Sequence, residues 1–485
     1  MRATTATPVA EQPGADGRWS PRLWALLVVL AGNMLIDALE VSVAVVALPS
    51  IGADLDAGPA SVQWVMTGFA VGFGAVILFG TRLVQRLGRR RVYLAAVTVF
   101  AVASLAGSLA TVAWFLIATR VVKGVCAALT APTGLAIITS TFPEGAARNR
   151  AVAVYSFFGV SGFSLGLVLS GLLTGISWRW TFAFPAPVAA VLLLLGLRLV
   201  PEQGGRNRAQ GGRPYELPTA LGLPAALLSL VYGISRIPGH GWRSPGTLGA
   251  FAAAAALCAL VVLRERRAEH PLLPLRLLAL PALRRSAFGA SALNGSYLGL
   301  LFVLTFHLQT LLGWSPARTG LALLPAALPP VLLAASSGRL VQRFGPARLI
   351  LLGSLAPPAG YLLYLRASAP TRYSTDVLPT LLLLGAAFVL CFAALHMQAL
   401  TVAQAAEPGI VSGVYQTAVQ FGAVLVPALV AALMAGHRPR PGATPADVMS
   451  GYHPALLLIT AVGVTGLAVA VTGVLPQRTP GTSTP

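Results

Sequence analysis

Fourteen runs of about 18 or more mostly apolar residues divide this sequence, and they constrain its fold more than any other feature. A bilayer's hydrocarbon core is about 30 Å thick, which an α-helix of about 20 residues crosses. Inside lipid the backbone must pair its own N–H and C=O groups, so such runs indicate helices. The predicted spans are 23–48, 60–79, 92–110, 113–140, 151–174, 180–200, 217–236, 246–263, 286–311, 318–337, 349–365, 378–402, 408–435 and 455–475. They predict an all-α polytopic membrane protein with 14 transmembrane helices.

Composition agrees with a membrane location. Of 485 residues, 56% are hydrophobic and 10% are charged, and the mean hydropathy is +0.77. A net charge of +20 could suggest nucleic acid, but the polar residues are confined to short loops, so we expect no nucleic-acid partner. Cys126, Cys258 and Cys391 lie in separate apolar stretches, which favours neither a disulfide framework nor a metal site.

The distribution of basic residues predicts the orientation. With the N-terminus inside, the predicted inside segments hold 24 of the 34 basic residues and the outside segments hold 8. Cytoplasmic loops carry such an excess. We therefore expect both termini to be cytoplasmic. The expected location of this multi-pass protein is the plasma (cytoplasmic) membrane.

A basic pentapeptide, RLVQR, occurs at 82–86 and again at 339–343, each time at the predicted cytoplasmic end of a span. A glycine follows two residues after the second arginine, and glycine permits the tight backbone that ends a helix. The copies are interpreted either as positive-inside anchors or as gating turns of two related halves, since internal repeats mark many secondary transporters. The predicted gating residues are Gln85, Arg86, Gly88, Arg89, Gln342, Arg343 and Gly345.

Four charged residues lie within the spans more than three residues from either predicted end, and they are the candidates for proton coupling. Asp37 and Glu40 are in span one, and Arg120 and Lys123 are in span four, each pair spaced so that both members share a helix face. Glu40 and Arg120 lie at matching depths of roughly 13 Å, so the pairs can meet. One interpretation is a static salt bridge between the spans. The other is that the acids exchange protons while the bases hold one carboxylate ionised, which makes proton and substrate compete.

The second half of the chain has no acid inside a predicted span, so its polar residues are the candidates for a substrate cavity. Polar groups inside a membrane mark functional sites, but they also form ordinary hydrogen bonds between helices. The candidates are Asn294, His307, Gln309, His396, Gln398, Gln416 and Gln420.

The stretch TRLVQRLGRRR at 81–91 resembles the turn after the second span of major facilitator transporters. Further stretches resemble the fourteen-span drug:proton antiporter branch of that family, multidrug efflux transporters, and together they cover nearly the whole chain. They are ALPSIG (47–52), VQWVMTGF (62–69), LIATRVVKG (116–124), ITSTFPEGAARNRA (138–151), SWRWTF (177–182), GW (241–242) and HLQTLLGWSPARTGLALLP (307–325).

The resemblance implies the major facilitator fold, in which a two-helix insert separates two pseudo-symmetric six-helix bundles. The implied division is a tail at 1–22, a first bundle at 23–200, a linker with two inserted helices at 201–285, a second bundle at 286–475 and a tail at 476–485.

The resemblance also bears on individual residues. Glu40 matches the usual first-span aspartate, with Asp37 as an added acid, and Arg120 matches the fourth-span arginine of an Arg-x-x-Gln-Gly pattern in which Lys123 replaces the glutamine. Gln85 and Gln342 stand where the repeated turn usually has aspartate. In span five Leu167 replaces the usual proline of a glycine-rich motif, whose glycines are predicted to pack helices closely. They are Gly159, Gly162, Gly166 and Gly171.

The function expected from this resemblance is proton-coupled export of lipophilic drugs or natural products by alternating access. Its partners would be a small amphipathic substrate, protons and the bilayer, and we expect a monomer without cofactor, metal or enzymatic activity. An ATP-driven pump is disfavoured because the only lysine, Lys123, lies in a span, so no phosphate-binding loop exists. Proton-coupled uptake and a nontransporting membrane scaffold or sensor remain alternatives.

Overall fold

A computed structural model describes residues 19–202, 217–268, 275–367, 371–401, 408–437 and 444–474. The predicted tail 476–485, most of the predicted tail 1–22 and parts of the predicted linker 201–285 lie outside the described residues. The side chain of Gln85, one of the predicted gating residues, is also outside them.

The described residues are helical and contain no strand. Within the described ranges, thirteen helices are long and apolar enough to cross a membrane, or fourteen when one bent pair counts as a span, which confirms the predicted helical spans. The helices are α1 Pro21–Asp54, α2 Pro59–Leu87, α3 Arg89–Ser108, α4 Ala113–Thr141, α5 Ala146–Thr174, α6 Trp178–Ala183, α7 Pro185–Leu199, α8 Leu217–His240, α9 Pro245–Arg267, α10 Leu275–Leu278, α11 Pro281–Phe306, α12 Pro316–Leu332, α13 Ala334–Phe344, α14 Pro346–Leu365, α15 Leu378–Leu400, α16 Pro408–Gly436 and α17 Pro445–Val474. The π-helical turns His307–Leu311 and Tyr373–Val377 follow α11 and precede α15.

Serine–proline pairs set the starts of three helices. Ser20, Ser244 and Ser315 each accept a hydrogen bond from the backbone N–H three residues later, at 3.2 to 3.3 Å. The proline that follows each serine needs no intrahelical partner for its nitrogen at the first helical position. These local signals fix where α1, α9 and α12 begin.

The tenth span differs from the single helix predicted over 318–337. It consists of α12 and α13, which meet at a bend of 68°. Pro329 and Pro330 lie in the last turn of α12, next to the bend, and each removes the backbone N–H donor that would bond to the preceding turn. The second RLVQR copy therefore lies on a separate short helix, α13.

Both RLVQR helices end at a glycine with a left-handed backbone. Gly88 has φ +88° and Gly345 has φ +76°. These two glycines, with Gly145, lie at one membrane face, which we call the turn face. The loops 55–58, 109–112 and 312–315 lie at the other, the opposite face.

We expect Gly88→Ala and Gly345→Ala each to lower stability by about 1–2 kcal/mol, because an L-residue is strained at positive φ. No atom of the described residues lies within 4 Å of the added Cβ at either position, so the effect isolates backbone strain. Thermal unfolding of the detergent-purified protein measures it. Gly239→Ala, on α8, is the control, since its added Cβ also has no neighbour within 4 Å among the described residues and its φ is not positive. Equal unfolding temperatures for all three variants would contradict the prediction.

The helices pack mainly within the first six spans and within the last six. Helix α1 packs on α5, and α2 packs on α4; α11 packs on α16 and α17, and α14 packs on α15. Helices α8 and α9 pack on each other, and α8 also contacts α2 and α16. The inserted pair therefore covers one seam between the two halves. The residue boundaries proposed for the bundles stay a prediction.

Close approach of α5 to its neighbours depends on its glycines. A Cβ on Gly162 would overlap the carbonyl oxygen of Leu35, and one on Gly166 would overlap the hydroxyl of Ser42. A Cβ on Gly159 would lie 2.8 Å from Met34, also on α1. Gly171 instead faces α12, and a Cβ added there would lie 2.8 Å from the carbonyl oxygen of Pro316. Small residues thus join α5 both to α1 and to the second half of the chain.

Candidate functional site

Both intramembrane bases bind one acid, Glu40. The Arg120 guanidinium contacts Glu40 Oε2 through Nη1 and donates to the Glu40 carbonyl oxygen at 2.7 Å through Nη2. Lys123 Nζ lies 2.5 Å from Glu40 Oε1. Arg120 Nε also donates to the carbonyl oxygen of Val65 on α2, at 2.9 Å. All three charged side chains are fully buried, so each oxygen of the carboxylate faces a cation away from solvent.

Aromatic rings enclose the two cations. Arg120 Cζ lies 5.1 Å from the ring centroid of Phe69, and Lys123 Nζ lies 5.0 Å from that of Phe100. Phe182 on α6 is within 6 Å of both cations. Ring faces attract cations, most strongly where water is excluded. Rings of α2, α3 and α6 therefore surround one charged cluster formed by α1 and α4, which we call the Glu40 cluster: Glu40, Arg120 and Lys123.

Asp37 lies one turn away on α1 and has different partners. Its Oδ2 accepts hydrogen bonds from Asn33 Nδ2 at 2.9 Å and from Thr130 Oγ1 at 2.7 Å. The sequence predicted that the two acids and the two bases can meet but not which acid each base contacts; Lys123 binds Glu40 and not Asp37. The physical reason is the register of α4, which puts Thr130 and not a base opposite Asp37. Asn33 and Thr130 were missed in the sequence because neither carries a charge.

Two further glycines were missed, and they bring α4 against α2 beside the Glu40 cluster. A Cβ on Gly72 would overlap the carbonyl oxygen of Val121, and one on Gly124 would overlap that of Phe69. The sequence did carry a signal, because GFAVG at 68–72 has the Gly-x-x-x-Gly spacing of close helix pairs.

Two of the predicted cavity residues contact the first half of the chain. Gln309 Nε2 donates to the carbonyl oxygen of Val46 on α1, at 2.8 Å, near the opposite face. The side chain of Gln420 on α16 packs against Gly74 on α2, 3.1 Å from where a Cβ would lie. Asn294 and Gln416 are half-buried on α11 and α16.

Three other predicted cavity residues have partners within the second half. His307 is fully buried, with Nδ1 against the hydroxyl of Tyr364 and Nε2 3.1 Å from Thr371 Oγ1. Such a histidine joins helices, so we leave it out of the proposed cavity. Gln398 Oε1 accepts from Ser286 at 3.0 Å. His396 stacks on Tyr415 with ring centroids 5.1 Å apart.

The predicted gating residues with described side chains lie at the turn face. Arg89 donates to the carbonyl oxygen of Ala136 on α4, at 3.2 Å, and Arg86 is exposed. Gln342 and Arg343 are exposed on α13. As for metals, the described residues hold no group of three or more His, Cys, Asp or Glu side chains that could bind an ion.

Comparisons of the whole chain with known proteins identify its family. The chain is 34% identical over 478 residues to puromycin resistance protein pur8 of Streptomyces alboniger, covering 94% of this chain and 93% of that protein. It is 31% identical over 476 residues to cephamycin export protein CmcT of Amycolatopsis lactamdurans, covering 97% and 96%. A D-xylose-proton symporter structure superimposes with a TM-score of 0.64 at 14% identity, covering 94% of this chain and 98% of that one. The model of the Major Facilitator Superfamily matches residues 30–427, and the chain therefore belongs to that superfamily.

Proposed function

We propose that this protein is a proton-coupled exporter of lipophilic drugs or natural products. The observation that carries the proposal is the presence of four ionisable side chains, Asp37, Glu40, Arg120 and Lys123, at the centre of the first six spans. Ions in such a position are costly and mark ion or substrate pathways. The curated relatives named for puromycin resistance and cephamycin export support a drug-like substrate.

Alternating access would move the two halves against each other. Two contacts between the halves lie toward the opposite face: Gln309 with Val46, and Gly171 with Pro316. Ser164 Oγ also donates to the carbonyl oxygen of Ala327 at 2.8 Å. We propose that the opposite face is extracellular and closed in this state, with both chain termini cytoplasmic. The substrate would bind between the halves, near Asn294, Gln416 and Gln420.

Proton and substrate would compete through the charge of the first half. The four ionised side chains sum to zero, so protonating one acid leaves a net positive charge that disfavours a cationic substrate. Deprotonation would restore the site for the next substrate molecule. Proton binding and substrate binding would then exclude each other, which is the requirement for antiport.

A transport assay tests the proposal. Cells with and without the protein are exposed to a panel that includes puromycin and lipophilic cationic dyes, and accumulation is measured with and without a protonophore. We expect lower accumulation with the protein, and loss of that difference on adding the protonophore. Higher accumulation with the protein would indicate uptake, and unchanged accumulation in cells and in vesicles would favour a nontransporting scaffold.

Gln309→Leu is expected to favour opening at the opposite face, because it removes a hydrogen bond between the halves worth about 0.5–1.5 kcal/mol. That energy shifts the equilibrium between conformations by about two- to tenfold. Spin labels on loops 109–112 and 312–315 would report it as a larger population of long distances. Gln398→Leu is the control, since its bond to Ser286 lies within one half. Equal distance distributions in both variants would contradict the prediction.

A further inference from the structure

The two acids of α1 differ in exposure. Glu40 is fully buried, whereas 6% of Asp37 is exposed. Asp37 is also one turn nearer the turn face, and Asn33, the next residue along that helix face, is likewise 6% exposed. A proton from the turn face would therefore reach Asp37 before Glu40.

They differ also in what protonation would leave behind. A proton on Glu40 would remove the counterion of both Arg120 and Lys123, which are fully buried. Uncompensated charges in such a site are strongly unfavourable. A proton on Asp37 would break no ion pair, because its hydrogen-bond partners, Asn33 and Thr130, are neutral.

The surroundings of Asp37 suit both of its protonation states. With Asp37 ionised, Thr130 donates to it. With Asp37 protonated, the Thr130 hydroxyl can accept the carboxyl proton and turn its own hydrogen to the carbonyl oxygen of Cys126, 3.1 Å away. No change of helix position is needed, so a proton can be gained and lost within a fixed backbone.

Four ionisable groups of the described residues interact electrostatically with Asp37, and none of the four is a base. They are Glu40 on its own helix, Tyr93 on α3, Cys126 on α4 and Tyr155 on α5. The electrostatic partners of Lys123 are Glu40, Arg120 and Cys126. The charge of Asp37 is therefore free to change without disturbing an ion pair.

We propose that Asp37 is the carboxyl group that exchanges protons during transport, and that Glu40 remains ionised as the fixed counterion of Arg120 and Lys123. The role in transport rests on the proposed proton-coupled function. The resemblance to drug:proton antiporters points instead to Glu40, which stands at the position of their usual acid. Asn33 and Thr130 are positioning residues, since they act through the Asp37 carboxylate.

The test uses dicyclohexylcarbodiimide, an apolar reagent to which a protonated carboxyl group adds across a C=N bond, ending as a stable N-acylurea. Full-length protein in membranes is labelled at about pH 6 and about pH 9, and fragment mass spectrometry locates the label. We expect Asp37 to be labelled at least about tenfold more than Glu40, and its labelling to fall by about tenfold at the higher pH. Stronger labelling of Glu40 than of Asp37, or labelling of Asp37 that does not change with pH, would overturn the proposal.

Matched threonine variants test the positioning role. Thr130→Val removes a donor that stabilises the ionised carboxylate, so the pH midpoint of Asp37 labelling should rise by about one unit. Thr133→Val is the control, because Thr133 is equally buried on the same helix and its hydroxyl has no partner among the described residues. Equal midpoints in both variants would count against the role of Thr130.

The labelling does not require a known substrate, so it separates two failures. Labelling at Asp37 without export of any compound in the panel would reject the proposed function while leaving the proton-exchanging group identified. Export with the label on Glu40 would reject this inference and leave the proposed function standing.

Discussion

Glu40→Gln is expected to abolish proton-driven export and to lower the stability of the protein. The substitution keeps the size of the side chain but leaves Arg120 and Lys123 fully buried without a counterion. Removing one partner of a buried ion pair costs about 3–5 kcal/mol, which corresponds to a loss of at least about 100-fold in the population of the functional arrangement. Export from cells and thermal unfolding of the purified protein measure the two effects.

Two controls separate the effect of the lost buried counterion from any nonspecific effect of replacing a glutamate. Glu144→Gln makes the same change at an exposed glutamate, which pairs with Arg148 at 3.1 Å, and should leave export unchanged. Adding Lys123→Gln to Glu40→Gln restores the balance of one acid, Asp37, and one base, Arg120. The double variant should therefore unfold at a higher temperature than Glu40→Gln alone. Full export by Glu40→Gln would refute the role given to this carboxylate.

Gly124→Ala is expected to have the second largest effect, through the packing of α4 on α2. The added Cβ would overlap the carbonyl oxygen of Phe69 and lie 2.8 Å from the backbone nitrogen of Phe73. Backbone atoms cannot move aside as a side chain can, so the two helices must separate. Overpacking of this kind costs about 1–3 kcal/mol.

Separation of α2 from α4 would also disturb the Glu40 cluster, because Arg120 donates to the carbonyl oxygen of Val65 on α2. We therefore expect a lower unfolding temperature together with reduced export. Gly249→Ala on α9 is the control, since its added Cβ would have no neighbour within 4 Å in the part of the chain that the structure describes and alanine favours a helix more than glycine does. If Gly124→Ala unfolds at the same temperature as Gly249→Ala, the close approach of the two helices is unimportant for stability.

Much of the fold could be predicted because membrane spans are determined locally. A run of apolar residues must be helical in lipid whatever its neighbours are, and the serine–proline starts and the glycine ends of helices act over a few residues. The bend between α12 and α13 was not predicted, although the sequence contains Pro329 and Pro330 beside it. Prolines are tolerated within spans when neighbouring groups satisfy the freed backbone, so their presence alone does not decide between a kink and a break.

The candidate site was only partly predictable. Charge and spacing identified Asp37, Glu40, Arg120 and Lys123 as residues on two helix faces at matching depth. They did not identify Asn33 or Thr130, because neutral polar residues are common in spans and most form ordinary hydrogen bonds. The same difficulty applies to His307, which is hydrogen-bonded between helices of the second half instead of lying between the two halves.

The sequence by itself determined the helical class, the spans and the four intramembrane charges, because hydropathy and charge are properties of the residues themselves. Only the tertiary structure decided how those charges pair. Spacing of three residues places Arg120 and Lys123 on one face, but the rotation and offset of α4 against α1 decide which acid each base reaches. Glycine contacts hold α4 against α2 and α1 against α5, and in the resulting arrangement both bases bind Glu40 and Asp37 has neutral partners.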